Sequence, residues 1–483
     1  MSVHTCEQSI FIEGVWEPAL SGSTLAVKSP ADGETFNVIS KGAKPEVDRA
    51  VAAARKALSG TWGTLAGFER GRVMCKLSAL ILENCVELAE LEARDTGKPI
   101  SQARTDIQST ARYFEFYAGA ADKILGDVIP FLDGYQVMVH REPRGVCGMI
   151  IPWNYPASMF GRTIGPALAT GNTVVLKPAE DASMSCIYLT KLAHEAGVPP
   201  GVLNLVTGLG EEAGAALSQH PGVDFLSFTG SSEVGTIIQT AAAMNHVPCV
   251  LELGGKSPQI VFADSDFERA AQTIVNVITQ NAGQTCSAGS RVLVQQSIYD
   301  PFVELLKSKM SNVRVGAPSA DLQCGPVINK TQQLKVQGFL DRAHTDGIEV
   351  LAQGSMDESA GPTGYFVRPT LLGPVPTTHE LAQQEIFGPV LAVITFEDEA
   401  EAIAIANGTN YGLVAGVWTE NGARQMRVAK KLRVGQVFIN NYGAGGGIEL
   451  PFGGVKRSGH GREKGLEALK EYTVTKTIVQ KHD

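Results

Sequence analysis

The chain has 483 residues, too many for one ordinary hydrophobic core, so two or three domains are expected. Hydrophobic residues make up 44% and charged residues 19%, which is normal for a soluble globular protein, and the net charge of −9 argues against general binding to nucleic acid or anionic membranes. No apolar run approaches the roughly 18 residues of a membrane span, and the first residues lack the basic-then-apolar pattern of a secretory signal.

The cysteines indicate the redox setting. They are scattered along the chain, and none forms a CxxC pair or a spacing with histidine that would bind a metal. We therefore expect no disulfide framework, no metal site and a reducing, cytoplasmic setting. The eight residues are Cys6, Cys75, Cys85, Cys147, Cys186, Cys249, Cys286 and Cys324.

The first part of the chain is predicted to be helical and the middle part to form a parallel sheet. Apolar residues recur every three or four positions over residues 45–118, which is typical of amphipathic helices. Short apolar runs bounded by glycine or proline then alternate with helix-like segments, which predicts an α/β fold with helices on both faces of a parallel sheet. Residues 143–252 are therefore interpreted as a doubly wound nucleotide-binding domain. The runs lie at 146–151, 172–178, 201–206, 223–230 and 248–255.

Residues 258–438 again alternate apolar runs with helices and predict a second α/β domain. Two segments fit neither domain. Residues 126–145 are typical of a hairpin with "LDGY" at its turn, and residues 471–481 of a terminal strand. Because exposed strand edges invite pairing, both segments are predicted to form a projecting sheet that pairs with another subunit.

Polar turns follow four of the predicted strands, at the edge where parallel sheets bind their ligands. Asn154 follows the first strand, and Lys177 and Glu180 follow the second. The third is followed by "TGLGEEAG", whose glycines are spaced GxGxxxG, one residue away from the dinucleotide fingerprint. The fourth is followed by "FTGSSEVG", which predicts a helix that begins with free backbone N–H groups.

Two candidate reactive residues come next. Glu252 ends an apolar strand, where a carboxylate is costly to desolvate, so it is either a paired capping acid or a functional group. Cys286 lies among small and polar residues in "NAGQTCSAG", so it either fills a tight corner or is a nucleophile that a substrate can reach. Phe387 in "QEIFGPV" either stacks on a ligand ring or packs a turn.

Together these stretches resemble the aldehyde dehydrogenase superfamily. The shared motifs, in order along nearly the whole chain, are "PWNYP", "TVVLKPAE", "FTGS", "LELGGKSP", "GQTC", "EIFGPV" and "PFGGVKRSGHGRE". The resemblance implies a Rossmann-like parallel-sheet cofactor domain, an α/β catalytic domain and a small oligomerisation sheet, assembled as a homodimer or homotetramer. The implied division is an NAD-binding domain at 1–120 and 143–253, a catalytic domain at 254–453, and oligomerisation segments at 121–142 and 470–483.

The resemblance also implies a reaction, the oxidation of an aldehyde to its carboxylic acid with NAD. Cys286 would attack the aldehyde as a thiolate, and the Asn154 amide with the Cys286 backbone N–H would stabilise the thiohemiacetal oxygen. Loss of hydride would leave a thioester. Glu252 would activate the water that releases the acid, and would also help to deprotonate the thiol.

Cofactor residues are carried over from the family in the same way. Lys177 and Glu180 match positions that hold the adenosine ribose, and an acid there favours NAD over NADP because it repels a 2′-phosphate. Glu385 matches the acid that binds the nicotinamide ribose, and Phe387 lies beside that ring. The other cofactor-binding matches are Ile151, Pro152, Trp153, Gly208, Phe228, Thr229, Gly230, Ser231, Val234 and Leu253.

The aldehyde pocket is matched by Tyr155, Arg162 and Phe452. Arg162 stands where betaine-aldehyde dehydrogenases have a tryptophan, and a cation there would repel trimethylammonium. Succinate-semialdehyde dehydrogenases have an arginine there that grips a carboxylate, but their second arginine is Gln280 here. Arg162 is therefore predicted to bind an ω-carboxylate aldehyde, to reach solvent or to pair with a local acid. Glu463 matches a proposed proton relay, or it forms a surface salt bridge.

Other functions remain as alternatives. Coenzyme A-acylating semialdehyde dehydrogenases lack the glutamate matched by Glu252. A non-catalytic relative can lose the nucleophile, whereas this chain keeps Cys286, Glu252 and Asn154 together. A broad-specificity, amino-type or betaine-type aldehyde dehydrogenase is a further alternative. The formation of NADH with a panel of aldehydes separates enzyme from non-enzyme.

Overall fold

The structure is a computed structural model that describes residues 8–443 and 447–482. Cys6, the first seven residues of the predicted NAD-binding domain and the last residue of the predicted terminal segment lie outside the described residues. The other cysteines are all free thiols. Over the described ranges, no helix is both long enough and apolar enough to cross a membrane.

The predicted helical region at 45–118 is confirmed. Its first helix shows why: Pro45 lies in the first turn, and the Glu46 carboxylate accepts the Ala43 backbone N–H at 2.8 Å, which caps the start. The α-helices are, in chain order, α1 (Lys44–Leu58), α2 (Thr61–Thr64), α3 (Gly67–Glu83), α4 (Cys85–Thr96), α5 (Ile100–Ala120), α6 (Pro156–Ala169), α7 (Met184–Ala196), α8 (Ala215–Ser218), α9 (Ser232–Ala243), α10 (Phe267–Thr279), α11 (Tyr299–Ser311), α12 (Lys330–Thr345), α13 (Glu380–Gln383), α14 (Glu399–Asn407), α15 (Gly422–Lys431) and α16 (Glu467–Glu471).

The strands form two large sheets and three small ones. In chain order they are β1 (Ile10–Ile12), β2 (Val15–Glu17), β3 (Thr24–Lys28), β4 (Thr35–Ser40), β5 (Asp127–Ile129), β6 (Tyr135–Pro143), β7 (Val146–Ile151), β8 (Thr173–Pro178), β9 (Leu203–Leu205), β10 (Phe225–Thr229), β11 (Cys249–Glu252), β12 (Pro258–Val261), β13 (Arg291–Gln295), β14 (Arg314–Val315), β15 (Val350–Gln353), β16 (Ser355–Met356), β17 (Thr370–Leu372), β18 (Val390–Phe396), β19 (Val414–Trp418), β20 (Gln436–Ile439), β21 (Gly459–His460) and β22 (Thr473–Lys481).

The first large sheet has the order β2-β1-β9-β8-β7-β10-β11-β21, and its five central strands, β7 to β11, are parallel. These are the five strands predicted from the sequence. The chain starts at the centre in β7, steps outwards through β8 and β9, and then crosses to β10 and β11. The change of direction between β7 and β10 is the topological switch point at which such sheets bind ligands.

The second large sheet has the order β15-β17-β18-β13-β12-β19-β20, and only β15 is antiparallel to its neighbour. This confirms the predicted second α/β unit. The central strand β19 was not among the predicted strands, because Ala415 and Gly416 interrupt its run of branched residues. It is nevertheless completely buried between β12 and β20.

The predicted hairpin and terminal strand are also confirmed, and they form one antiparallel sheet, β22-β6-β5. The Tyr135 N–H donates to the Leu132 carbonyl at 3.2 Å to close the hairpin turn. Before it reaches β22, the chain adds β21 to the edge of the first sheet, beside β11. This return carries residues 459–464 back to the carboxyl end of β11. The domain boundaries and the pairing with another subunit remain predictions.

Candidate active site

The carboxyl ends of the neighbouring strands β8, β7, β10 and β11 bring their polar turns together, as the sequence predicted. A cavity of about 540 Å³ lies at this edge and is closed from the other side by loops that connect strands of the second sheet. The predicted residues on its lining are Pro152, Trp153, Asn154, Tyr155, Arg162, Thr229, Gly230, Ser231, Glu252, Cys286, Glu385, Phe387 and Phe452. Residues from far apart in the chain therefore share one cavity.

A tight turn after α10 places Cys286 on the cavity wall. Asn281 and Ala282 both have positive φ angles, 48° and 53°. At Gly283 the φ is 72°, and a Cβ there would lie 2.2 Å from the Gly388 carbonyl oxygen, so only glycine fits. Burial raises the pKa of the Cys286 thiol to about 12, and nearby Arg162 acts in the opposite direction. The thiol is therefore neutral until a base takes its proton.

Asn154 is held by the same turn. Its side-chain Nδ2 donates to the Gln284 carbonyl at 2.9 Å, and the Asn281 Nδ2 donates to the Asn154 carbonyl at 2.9 Å. The side chain of Gln284 is itself fixed, because it donates to the Asn281 carbonyl and accepts the Ile328 N–H. An amide group has two N–H donors, so Asn154 keeps one for a ligand in the cavity.

Glu252 is a buried acid with an ion-pair partner. Only 1% of its surface is exposed, and Arg162 Nη2 lies 3.6 Å from its Oε2. Burial raises the pKa of Glu252 well above its usual range, while Arg162 pulls it down. Of the two sequence-based alternatives, the structure shows the paired acid, and the role of Glu252 as a functional group remains a prediction.

Arg162 also forms an ion pair through Nε with Glu463, and its guanidinium lies 4.4 Å from the centre of the Phe452 ring. Of the predicted roles for Arg162, pairing with local acids is the one the structure favours, since the residue is only 9% exposed. The predicted surface salt bridge of Glu463 is wrong, because Glu463 is only 1% exposed. Strand β21 pairs with β11 and so brings Glu463 to the first sheet, where the Ser227 Oγ donates a hydrogen bond to its carboxylate at 3.1 Å.

Another part of the cavity lining carries aromatic and backbone groups. The rings of Trp153 and Phe387 meet edge to face, with their centres 5.4 Å apart. The Glu385 carboxylate accepts the Gly255 N–H at 2.9 Å, and burial raises its pKa to about 7. The Thr229 Oγ1 is buried and has no hydrogen-bond partner among the described residues, so it is available to a ligand.

The other seven predicted cofactor-binding residues lie beyond the cavity lining. Lys177 Nζ donates to Glu180 Oε2 at 2.6 Å, and Glu180 Oε1 accepts the Gly210 N–H at 3.2 Å. Gly208 has a structural reason to be glycine, because its φ is 153° and a Cβ would lie 2.3 Å from the Gly42 carbonyl oxygen. The side chains of Ile151, Phe228 and Leu253 are buried, whereas Val234 on α9 is exposed.

Sequence reasoning missed a buried ionic cluster beside the substrate end of the cavity. Lys98 forms ion pairs with Glu92 at 3.2 Å and with Asp106 at 2.6 Å, and its Nζ lies 4.3 Å from the centre of the Tyr155 ring. The Tyr155 hydroxyl shares a hydrogen bond of 2.9 Å with Thr285, next to Cys286. The three charged residues lie in and between helices that look solvated in the sequence, so no signal in their spacing pointed to the site.

Comparison with known proteins agrees with this geometry. The model of the aldehyde dehydrogenase family matches residues 16–478. Aldehyde dehydrogenase 1 of Tanacetum cinerariifolium is 44% identical over 473 residues, which covers 97% of this chain and 94% of that protein. Both matches include the whole candidate site.

Solved structures share the fold as well. A Burkholderia cenocepacia structure described as an aldehyde dehydrogenase is 56% identical, covers 98% of this chain and 100% of its own, and superimposes with a TM-score of 0.97. The NAD+ complex of aldehyde dehydrogenase from Bacillus cereus is 41% identical, covers 98% of this chain and 96% of its own, and has a TM-score of 0.95. Because sequence and fold agree over nearly the full length, the chain belongs to the aldehyde dehydrogenase family and is an oxidoreductase.

Proposed function

We propose that this protein uses NAD to oxidise an aldehyde to its carboxylic acid, with Cys286 as the nucleophile, Asn154 as the oxyanion donor and Glu252 as the base. One observation carries this proposal: the three side chains, up to 132 positions apart, line one largely buried cavity. A reaction that needs all three together accounts for a thiol, a half-used amide and a buried acid that line the same cavity.

The part of the lining formed by Trp153, Thr229, Glu385 and Phe387 suits the cofactor. The unpartnered Thr229 hydroxyl, the Glu385 carboxylate and the edge of the Trp153–Phe387 ring pair would contact the nicotinamide half. Ser231 caps α9 by accepting the Val234 N–H at 3.2 Å, and the first turn of that helix suits a pyrophosphate. When bound, NAD supplies the hydride acceptor.

The residues of the chain perform the remaining steps. A base takes the Cys286 proton, the sulfur bonds to the carbonyl carbon, and the carbonyl electron pair moves to oxygen, where the free Asn154 N–H donates to it. Departure of hydride leaves a thioester on Cys286. Glu252 then takes a proton from a water molecule as the water oxygen attacks the thioester carbon. The carbon–sulfur bond breaks and releases the carboxylic acid and the Cys286 thiolate.

The substrate class is a separate question. Because Arg162 already pairs with Glu252 and Glu463, its charge is largely neutralised, and the proposal of an ω-carboxylate aldehyde loses support. If Arg162 serves the acids, Arg162→Ala reduces kcat/KM equally for an ω-carboxylate aldehyde and a neutral aldehyde of the same length. If it grips the substrate, the loss is about 10- to 150-fold and is confined to the carboxylate.

The preference for NAD over NADP is supported by Glu180. Its pKa is lowered: burial alone would raise it, but Lys177 and the Gly210 N–H outweigh burial, so the carboxylate stays charged. A charged carboxylate at the adenosine ribose repels a 2′-phosphate. Lys177 would attract that phosphate, but its ammonium is already bound to Glu180.

We further propose a homodimer or homotetramer in a reducing, cytoplasmic setting. Val128, Ile129 and Val479 expose apolar side chains on the three-stranded sheet, whose edges suit pairing with a second copy. A thiol nucleophile must stay reduced to act, and all seven described cysteines are free. Light scattering coupled to size-exclusion chromatography measures the number of subunits.

The proposed function is tested by NADH formation with NAD and a panel of aliphatic, aromatic, amino and ω-carboxylate aldehydes. Wild type is expected to be active without coenzyme A, whereas a coenzyme A-acylating enzyme would depend on it. The matched variants are Cys286→Ser and Cys75→Ser; Cys75 is an exposed thiol remote from the cavity. Activity in Cys286→Ser comparable to that in Cys75→Ser would remove the thiol mechanism.

A further inference from the structure

The buried Glu252 carboxylate lacks the hydrogen bonds that normally fix such a group. Neither of its oxygens accepts a hydrogen bond from a described residue. Its ion-pair partner in the described part of the chain is Arg162, at 3.6 Å. A buried charge without hydrogen bonds depends on its ion-pair partner for both its position and its ionisation.

Arg162 is itself held from behind. Its Nε forms an ion pair with Glu463, and its guanidinium plane lies against the Phe452 ring at 4.4 Å. Glu463 is fixed in turn by the Ser227 hydroxyl at 3.1 Å. The contacts thus run in one line from β10 through Glu463 and Arg162 to Glu252 at the cavity wall.

We propose that Arg162 is a positioning residue that favours the ionised form of the Glu252 carboxylate and keeps it beside Cys286, while Glu463 anchors Arg162 and competes with Glu252 for its charge. This inference rests on the proposed function, because it assigns Arg162 an effect on the base. Arg162 does not touch the reacting atoms in this role. The structure has no other cation within ion-pair distance of Glu252 among the residues it describes.

The arrangement makes the two neighbours of Glu252 act with opposite signs. Arg162 lowers the pKa of Glu252 and Glu463 raises it; Arg462 and Lys464 lower it more weakly. Further titratable groups near these residues are Cys286, which interacts with both Glu252 and Arg162, and Tyr113 and Tyr117, which interact with Arg162 and Glu463. Tyr472 interacts with Glu463. Loss of the Arg162 charge therefore favours the protonated base, and loss of the Glu463 charge favours the ionised base.

The test measures deacylation alone. p-Nitrophenyl acetate acylates a thiol without any cofactor, and intact-protein mass spectrometry then follows the decay of acetyl-Cys286 after a jump to pH values between about 5 and 10. The rate is expected to fall at acidic pH as Glu252 becomes protonated. The variants are Glu252→Gln, Arg162→Gln, Arg162→Lys and Glu463→Gln.

Arg162→Gln is expected to move the acidic limb of the deacylation rate–pH profile to higher pH by about one pH unit or more. Loss of a neighbouring opposite charge changes a pKa by this amount. Glu463→Gln is expected to move the acidic limb to lower pH, by about half a pH unit to one pH unit. Arg162→Lys keeps the charge and is expected to fall between wild type and Arg162→Gln. The control Arg427→Gln removes an exposed arginine that pairs with Glu399 far from the site, and is expected to leave the limb unchanged.

Two different failures are distinguishable. If Glu252→Gln retains the wild-type acidic limb, Glu252 is not the base and the proposed function is wrong at that residue. If Glu252→Gln loses the limb but Arg162→Gln and Glu463→Gln leave it in place, or shift it in the same direction, the positioning role alone is wrong. Should Arg162→Gln fail to fold, Arg162→Lys and Glu463→Gln still decide the sign.

Discussion

Two parts of the cavity lining, named here by their proposed roles, each hold a buried carboxylate by different means. The cofactor wall is formed by Trp153, Thr229, Glu385 and Phe387, and the catalytic wall by Asn154, Arg162, Glu252 and Cys286. On the cofactor wall, Glu385 accepts the backbone N–H of Gly255 at 2.9 Å. On the catalytic wall, Glu252 depends on the Arg162 side chain at 3.6 Å, which it shares with Glu463. A backbone donor fixes an acid where the chain puts it, whereas a shared guanidinium leaves its acid adjustable. This suits a group that binds on the first wall and a group that moves protons on the second.

The largest effect is expected from a substitution that removes the proposed nucleophile, Cys286, and leaves the cofactor wall unchanged. Cys286→Ala is expected to reduce NADH formation by at least about a thousandfold, because no other nucleophile can form the thioester. NAD binding, measured by calorimetry, is expected to stay within about threefold of wild type. The control Cys75→Ala is expected to be fully active, and substantial turnover by Cys286→Ala would contradict the mechanism.

Glu252→Gln tests the catalytic wall more finely. We expect a loss of about 100- to 10,000-fold in turnover, because water is no longer activated, with a thioester on Cys286 that mass spectrometry detects after NAD and aldehyde are mixed with the enzyme. The matching change on the cofactor wall, Glu385→Gln, is expected to accumulate no thioester. A slow enzyme without a thioester would instead place the role of Glu252 before acylation.

Glu385→Gln is expected to weaken NAD binding by about 10- to 150-fold, the value of roughly 1.5–3 kcal/mol for a hydrogen bond to a charged group. Since burial raises the pKa of Glu385 to about 7, NAD affinity in wild type should fall as the pH drops through about 7 and the carboxylate is protonated. The variant should lose this pH dependence. An exposed acid, Glu304, offers the control Glu304→Gln, and an unchanged affinity profile in Glu385→Gln would exclude the contact.

The smallest effect is expected at the outer end of the cofactor site. Glu180 is about one-third exposed, so solvent screens its charge, and Glu180→Gln should narrow the preference for NAD over NADP by only about two- to fivefold in kcat/KM. Glu211, an exposed acid next to Gly210, provides the control Glu211→Gln. A wild-type preference for NADP would overturn the assignment of Glu180.

Local sequence patterns predicted most of the helices and strands of the fold. The helices at 45–118 and the strands β7, β8 and β11, which end at Ile151, Pro178 and Glu252, were predictable because amphipathic periods and short buried runs depend on neighbouring residues. Strand β19 was not predicted, because Ala415 and Gly416 leave only three large apolar residues in its run, and its burial comes from the neighbouring strands β12 and β20.

The candidate site divides in the same way. Motifs within a few residues, such as "LELGGK" and "GQTC", pointed to Glu252 and Cys286 because each sits in a short stretch with a recognisable local geometry. The ion pairs of Arg162 depend on Glu252 and Glu463, which are 90 and 301 positions away in the chain. Glu463 reaches Arg162 because β21 returns to the first sheet. The sequence by itself determined which groups the protein has for its chemistry. Tertiary structure decided how they are charged, because burial and the distance between charges set ionisation, and neither quantity exists in a linear chain.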